Sequence, residues 1–299
     1  MKPSLMKPSR VLLAGTGITA AAGAACVGWG VVEAHRYWIR THRLAVLPPD
    51  AKPLRILQVS DLHLRLSSTR LAAFLSGLSE ESYDLVLATG DLLGEPAAVE
   101  RCARLLGGLQ GRLGRYYVLG SSDYYAPRFN SYVHYFTRRR KPPKEVNRTD
   151  DFLRILEAQG YEGLTNRTIY VDLKGTPTQI TGMDDPFLHR DDRSLLRRNP
   201  DAAFAVCVVH DPSPYQDAAQ AGFDLVVAGH THGGQIRLPL VGALVTNSTV
   251  PRRLALGASW VGRTLLFVTP GLGTSKFAPY RFLCPPEASV LELVPRGLG

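Results

Sequence analysis

The chain has 299 residues and a mass of 32.7 kDa, which is enough for one large domain or two small ones. Apolar residues make up 45% of the chain and charged residues 20%, and this composition excludes a disordered, collagen-like or coiled-coil protein. The net charge of +9 comes from residues 1–50 and 124–150, and the balanced remainder argues against a uniformly basic nucleic-acid-binding surface.

The amino-terminal segment contains a long stretch without charged side chains, residues 11–32. As a helix, this stretch would be about 33 Å long and could cross a hydrocarbon core of about 30 Å. We predict a single-pass membrane anchor with its juxtamembrane piece in residues 1–44, followed by a linker at 45–53. A cleaved signal peptide, which leaves an exported protein, is the alternative. Basic residues on both flanks leave the membrane side open.

From residue 54 the chain alternates short aliphatic runs with helical stretches, which is typical of an α/β fold. The predicted strands cover residues 55–60, 85–89, 116–119, 169–173, 203–209 and 225–228. The predicted helices cover residues 68–79, 97–109 and 150–159, with Thr149 as the N-cap of the last. Most of these strands lead into Gly, Asp or His, and ligands of such sheets collect at the carboxyl ends of strands.

Two strand ends carry an Asp or His pair at positions i and i+2. Asp61 and His63 follow the first strand, and His230 and His232 follow the strand at 225–228. Because residues i and i+2 of an extended chain face the same way, the side chains of each pair converge. Each pair therefore has the geometry of a metal ligand pair.

Two further strand ends add one ligand each. Gly90 lets the chain turn sharply before Asp91, and His210 follows the strand at 203–209. Together the strand ends supply two carboxylates and four histidines, which suit Mn, Fe or Zn and exceed what one ion normally takes. We therefore predict two divalent metal ions.

The order and spacing of these residues resemble the calcineurin-like metallophosphoesterases over roughly residues 53–295. The matching motifs are Asp61-x-His63, Gly90-Asp91, His210 and Gly229-His230-Thr231-His232. The extension of the last motif through Pro239, together with residues 271–274 and 281–287, resembles the bacterial membrane-anchored phosphodiesterase branch.

The resemblance implies a four-layer αββα sandwich of two mixed β-sheets flanked by helices, at residues 54–295. It also implies a metal-activated hydroxide that hydrolyses phosphodiester or phosphoanhydride bonds. By the family pattern, one metal is held by Asp61, His63 and His232, the other by His210 and His230, and Asp91 bridges them. Asp91, His210 and Asp123 are the implied catalytic residues.

The chain departs from the family at its third motif, which usually reads Gly-Asn-His followed by Asp or Glu. Here Ser121 replaces the Asn ligand, so the second metal site should be weaker or completed by water. Ser122 replaces the His that assists the leaving group, and a serine cannot act as a general acid near neutral pH. Losing such an acid typically removes roughly 10²- to 10⁴-fold in rate for a poor leaving group.

Three outcomes are compatible with this loss. The enzyme could use good leaving groups, such as phosphoanhydrides or aryl esters. A residue of the adjoining insertion, Tyr124, Tyr125 or His134, could replace the acid. The third outcome is a catalytically weak or inactive metal-containing binding or scaffold protein at the membrane. A nuclease is a further reading of the same site.

The insertion at residues 124–150 places aromatic residues beside a basic run that contains Arg138, Arg139 and Arg140. This combination suits a membrane interface, an anionic substrate or single-stranded nucleic acid, and a solvated surface loop is the alternative. The neutral remainder of the chain favours a lipid surface, so we expect a lipid-linked or cell-envelope phosphate ester rather than nucleic acid.

Asn166 and Arg167 could approach the substrate, although such residues often form a turn. The oligomeric state is left open.

Overall fold

The computed structural model describes residues 23, 25–126 and 146–297. Most of the predicted membrane anchor lies outside the described residues, as do His134 and the basic run from Arg138 to Arg140. Residues 25–33 are helical and form α1. Within the described ranges, α1 included, the chain contains no helix with the length and apolar character needed to span a bilayer.

The first sheet has six strands, in the order β1-β14-β2-β3-β4-β5. These are β1 (Trp38–Leu47), β2 (Leu54–Val59), β3 (Ser82–Thr89), β4 (Gln110–Val118), β5 (Glu162–Gly163) and β14 (Glu287–Pro295). Strands β2 to β5 are parallel, β14 is antiparallel to β2, and β1 is parallel to β14. The parallel arrangement brings the ends of β2, β3 and β4 to one edge.

Strand β1 corrects the prediction that residues 36–53 are only a juxtamembrane piece and a linker. Its carboxyl half buries Leu44, Val46 and Leu47, and its exposed half is attached through His42, whose Nε2 lies 2.7 Å from Glu287 Oε1. The exposed basic residues interrupt the apolar alternation that would indicate a strand. The folded α/β domain therefore includes β1 and begins before residue 54.

The second sheet also has six strands, in the order β12-β13-β9-β8-β7-β6. These are β6 (Arg167–Leu173), β7 (Thr176–Gly182), β8 (Phe204–Val208), β9 (Leu225–Ala228), β12 (Gly257–Val261) and β13 (Thr264–Val268). The four central strands are parallel, and the edge strands β6 and β12 are antiparallel to their neighbours. A separate small ladder joins β10 (Arg237–Leu238) to β11 (Gly242–Ala243).

Four helices lie on the outer faces of the two sheets. They are α2 (Thr69–Leu78), α3 (Val99–Gly107), α5 (Thr149–Ala158) and α6 (Tyr215–Gln220). The four-residue helix α4 (Ser121–Tyr124) follows β4. Short 3₁₀ turns occur at Pro96–Ala98, Pro186–Leu188, Arg193–Leu195, His232–Gly234 and Arg252–Leu254. Helix α5 begins at Thr149, so the predicted N-cap is displaced by one residue, and the Thr149 hydroxyl donates to Asp123 O at 2.8 Å.

Three hydrophobic clusters separate the layers. Ile56 and Leu85 of the first sheet pack with Phe204 and Phe267 of the second. Helices α2, α3 and α5 bury their apolar faces on the other side of the first sheet, and α6 does so on the second. The predicted four-layer αββα sandwich of two mixed sheets is therefore confirmed.

Helix α1 is attached to the α/β domain through Glu33, which is 5% exposed. Its Oε1 accepts a hydrogen bond from Cys284 N at 2.6 Å, and its Oε2 accepts from Leu283 N at 3.1 Å. Oε2 also accepts from the Trp29 indole of α1 at 2.9 Å. The carboxylate thus joins the amino-terminal segment to the loop before β14.

Candidate metal centre

The loops after β2, β3, β8 and β9 bring all six predicted metal ligands to one edge of the two sheets. Five of these ligands adopt a positive φ, which is uncommon and strained for residues other than glycine. They are Asp61 (52°), His63 (40°), Asp91 (52°), His230 (67°) and His232 (49°). Such strain concentrates at functional sites, where the surrounding structure enforces it.

Two glycines let these loops approach one another. Gly90 has a φ of 81°, and a Cβ there would lie 2.7 Å from both Gly120 N and His210 Nδ1. A Cβ at Gly229 would lie 2.1 Å from Ser60 Oγ. A side chain at either position would therefore push the ligand loops apart.

The first cluster consists of Asp61, His63 and His232, whose ligand atoms all lie within 4.8 Å of one another. His63 Nε2 lies 3.2 Å from His232 Nε2, which is 3.6 Å from Asp61 Oδ1. Burial lowers the pKa of both imidazoles, that of His232 to about 3, so both are neutral.

The Asp61 carboxylate shows that these residues fit a cation. Its Oδ2 accepts hydrogen bonds from the Ser60 hydroxyl at 2.6 Å and from His230 N at 3.1 Å. Its Oδ1 is buried and has no hydrogen-bond partner within the described ranges. An unpaired buried carboxylate oxygen beside two neutral imidazoles is a donor set that a divalent ion satisfies.

The second cluster consists of Asp91, His210 and His230. His210 Nδ1 lies 2.8 Å from Thr89 O, and His230 Nε2 lies 3.3 Å from Asp211 Oδ2. Each of these contacts leaves the other ring nitrogen to face the cluster, where His230 Nδ1 and His210 Nε2 are 3.2 Å apart. Such partners on the far nitrogen orient metal-binding imidazoles.

Asp91 lies between the two clusters. Its Oδ2 is 3.6 Å from His63 Nε2 and 3.4 Å from His210 Nε2, while its Oδ1 accepts from Ser122 N at 2.7 Å. Burial alone would raise the pKa of Asp91, but the neighbouring His210 imidazole outweighs burial and holds it well below its usual range. An anionic carboxylate shared by two clusters suits a bridging ligand.

The third motif forms α4, directly after Gly120. Ser121 begins the helix and is partly exposed. The Ser122 hydroxyl is buried and has no partner in the described part of the chain. Asp123 is fully buried and accepts hydrogen bonds from the N–H groups of Gly120 (2.9 Å), Leu92 (2.8 Å) and Leu93 (3.0 Å). These contacts indicate that Asp123 positions the loops around Asp91. Burial and the neighbouring Asp91 raise the pKa of Asp123 to about 7, and its catalytic role stays a prediction.

We expect Asp123→Ala to reduce the free energy of unfolding by about 3 kcal/mol, because three buried N–H groups would lose their acceptor. Urea unfolding followed by circular dichroism measures this change. Asp150→Ala, at an exposed position of α5, is the control and should change stability by less than about 0.5 kcal/mol. Equal stabilities of the two variants would contradict the positioning role.

Tyr124 and Asn166 hold the loop at residues 184–192 beside the second cluster. The Tyr124 hydroxyl donates to Asp184 Oδ1 at 2.8 Å, and the Arg190 guanidinium lies 4.0 Å from its ring centroid. The Asn166 side chain accepts from Asp184 N at 3.0 Å and donates to Arg190 O at 2.8 Å. Burial and Asp184 raise the pKa of Tyr124, which makes it a weaker acid than free tyrosine. Arg167 is exposed and pairs with Glu162 at 2.9 Å.

Three further residues border the site, of which the sequence pointed only to Asp185, as part of a possible metal-adjacent pair with Asp184. Asp185 is buried with an unpartnered Oδ2 among the described residues, and burial raises its pKa to about 6. The ring of Phe187, from the same loop, lies 5.1 Å from the His230 ring. Asn147, which follows the insertion, donates to Ser122 O and buries its own Oδ1. These contacts depend on long-range packing, and no local motif predicts them.

Arg281 is a buried residue that lies next to the first cluster. It is 0% exposed, and its Nη2 donates to Gly273 O at 2.7 Å and to Pro270 O at 2.8 Å. The same nitrogen lies 3.3 Å from His232 Nδ1. The sequence indicated Arg281 only as part of a motif, without its role.

Two adjoining clusters of Asp and His lie at the edge of an αββα sandwich, and each of them could hold a metal ion. Residues 54–234 match the family model described as calcineurin-like phosphoesterase. The chain belongs to this family and is a hydrolase acting on phosphoester bonds.

Relatives of the chain carry matching descriptions. The chain is 27% identical over 287 residues to YkuE of Bacillus subtilis (strain 168), described as an uncharacterized metallophosphoesterase, with 91% of this chain and 93% of YkuE covered. It is 26% identical over 291 residues to phosphodiesterase YaeI of Escherichia coli (strain K12), with 92% and 96% covered. It is also 25% identical over 291 residues to a "Transmembrane protein with metallophosphoesterase domain" of Bos taurus, with 91% and 58% covered.

Proposed function

We propose that this protein hydrolyses phosphodiester or phosphoanhydride bonds at a dinuclear metal centre, on a lipid-linked or cell-envelope substrate. The observation that carries the proposal is the position of Asp91 Oδ2, within 3.6 Å of a ligand nitrogen of each cluster. Two bound divalent ions would polarise a phosphoryl oxygen and lower the pKa of water. The oxygen and nitrogen donors suit Mn, Fe or Zn.

The side chains of the site would hold these ions in fixed positions. Asp61, His63 and His232 would hold one ion, His210 and His230 the other, and Asp91 both. The N–H of Ser122 orients Asp91, and Thr89 O and Asp211 orient the two imidazoles of the second cluster. The chain's own contribution to catalysis is therefore the preorganisation of charged and neutral ligands in a buried site.

The surroundings of the second cluster favour substrates with good leaving groups. Ser122 has no acidic proton near neutral pH, and the Tyr124 hydroxyl is already donated to Asp184. A leaving group with a low pKa, such as a phosphate or an aryl oxide, departs without a proton from the enzyme. Phosphoanhydrides and activated diesters should thus be the better substrates.

The name of one relative supports a location at the membrane, since the bovine relative is named a transmembrane protein. We propose that residues 1–44 include the anchor, with signal-peptide cleavage as the alternative. The Arg138 to Arg140 run would then face anionic head groups.

A metal-containing binding or scaffold protein is the second candidate function, and the observation that favours it is the pair Ser121 and Ser122. Hydrolysis assays of the full-length protein in detergent with Mn²⁺ distinguish the phosphoesterase from the binding or scaffold protein. We expect hydrolysis of bis(p-nitrophenyl) phosphate to exceed that of p-nitrophenyl phosphate, because the first is a diester with a good leaving group.

His232→Asn should lower kcat/KM for the diester at least about 10²-fold. The control is His189→Asn, which changes an exposed histidine that shares the positive φ of His232 (57° against 49°). Retained turnover in His232→Asn would contradict the assignment of His232 to the reaction centre. Two bound metal ions without turnover by the unmodified protein would instead support the binding protein.

A further inference from the structure

A polar cavity of about 270 Å³ lies beside the first ligand cluster. The junction between α1 and β1 forms one wall and contributes Tyr37. The loop that leads from His63 into α2 forms the opposite wall, and Thr274 lies between the two. His63 belongs both to the cavity lining and to the first cluster, so the cavity adjoins the proposed reaction centre.

The cavity is positively charged. Its described lining contains Arg65 and Arg70 and no Asp or Glu. Arg65 Nε is buried and has no hydrogen-bond partner in the part of the chain that the structure describes. Burial raises the pKa of the Tyr37 hydroxyl, and the positive charges of Arg281, Arg70 and Arg65 oppose that rise.

Several hydrogen-bond donors complete the lining. Ser67, Ser68, Thr69 and Thr274 contribute hydroxyl groups. Ser68 is the N-cap of α2 but makes no capping bond, since its Oγ accepts from Arg65 N at 3.2 Å. Thr69 N donates to Ser67 O at 2.8 Å, and the Ser68 side chain leaves the N–H groups of Arg70 and Leu71 for an anion. Guanidinium groups, hydroxyls and N–H groups together form the chemistry that binds phosphate.

We infer that this cavity binds a second phosphate group of the substrate, next to the phosphorus atom that is hydrolysed. The inference rests on the proposed function and names its substrate class, a phosphoanhydride or a diester with an additional phosphate. For a phosphoanhydride, the water oxygen bonds to one phosphorus while the bridging P–O bond breaks. The departing phosphate keeps the electron pair, and the proton of the water passes to bulk solvent. Arg65 and Arg70 would stabilise the charge on the departing phosphate, which needs no general acid.

Binding of inorganic phosphate to the full-length, chelator-treated protein tests the site without hydrolysis. We expect Arg70→Gln to weaken phosphate binding at least about 10-fold in isothermal titration calorimetry, and Arg65→Gln to do the same. Arg104→Gln, an equal charge change at an exposed position of α3, should leave the affinity unchanged. Equal affinities of all variants, or no binding by the unmodified protein, would overturn the inference.

Kinetics with Mn²⁺ test the same cavity during turnover. Arg70→Gln should raise KM at least about 10-fold for ADP-ribose, a diphosphate diester, and less than about twofold for bis(p-nitrophenyl) phosphate. Equal KM changes for both probes would overturn the role of Arg70. If neither probe is hydrolysed while phosphate binding still depends on Arg70, the proposed function fails and the phosphate site stands.

The source of the phosphate is distinguished by comparing inorganic phosphate with dihexanoyl phosphatidic acid, a soluble lipid analogue. Arg70-dependent binding that is tighter for the lipid analogue supports the site with a lipid head group as its ligand. Arg70-dependent binding that is equal for both supports the site with a soluble phosphate. Binding of both ligands that is independent of Arg70 would overturn the inference.

Discussion

Replacing Asp91 by asparagine is expected to lower kcat/KM for bis(p-nitrophenyl) phosphate at least about 10³-fold, or about 4 kcal/mol of transition-state stabilisation. The carboxylate has one oxygen between His63 and His210, at 3.6 and 3.4 Å, and the other on Ser122 N. An asparagine retains the shape but loses the negative charge that two adjacent cations require. The asparagine amide also places its NH₂ group next to either a ligand nitrogen or the Ser122 N–H, which is itself a hydrogen-bond donor.

Metal analysis of the same variant separates ligand loss from misfolding. We expect two ions per unmodified chain and at most one per Asp91→Asn chain, by inductively coupled plasma mass spectrometry. Asp211→Asn is the control, because Asp211 orients His230 from 3.3 Å and should cost only about 10- to 100-fold in activity. Unchanged metal content and turnover in Asp91→Asn would show that the bridging position is wrongly assigned.

Replacing Arg281 by methionine is expected to reduce the free energy of unfolding by about 3–5 kcal/mol. The guanidinium is fully buried and donates to the carbonyl oxygens of Pro270, Gly273 and Cys284, at 2.8, 2.7 and 3.2 Å. A methionine fills a similar volume but leaves these buried acceptors unpaired. Urea unfolding measures the loss.

The exposed Arg263 provides a matched control, since Arg263→Met should change stability by less than about 0.5 kcal/mol. Arg281→Met should also loosen the first metal site, because Arg281 lies 3.3 Å from His232 Nδ1. We therefore expect a raised Kd for Mn²⁺ in this variant even where it remains folded. A stability equal to that of Arg263→Met would exclude the structural role.

The sequence predicted the ligand-bearing part of the fold well, for a physical reason. Strands β3, β8 and β9 contain short apolar runs that stop within two residues of a glycine or a polar ligand, as at Ala228 and His230. Such boundaries are visible without tertiary information. The roles of the six ligands remain predictions, which the structure supports by bringing their donor atoms together.

Other parts of the site could not be predicted, because they depend on contacts between distant segments. Strand β1 owes its place to pairing with β14, at the opposite end of the chain. Asn147 reaches Ser122 only after the chain returns from the insertion. The predicted substrate role of Asn166 rested on sequence proximity, whereas its side chain binds the backbone of the loop at residues 184–192.

The Glu33 carboxylate has a mechanical consequence. Because it joins α1 to Leu283 and Cys284, and Cys284 O in turn accepts from Arg281, the amino-terminal segment is connected by short bonds to the support of His232. A shift of α1 would therefore be transmitted through Glu33, Cys284 and Arg281 to the His232 imidazole, so the position of the segment before β1 is coupled to the geometry of the first cluster.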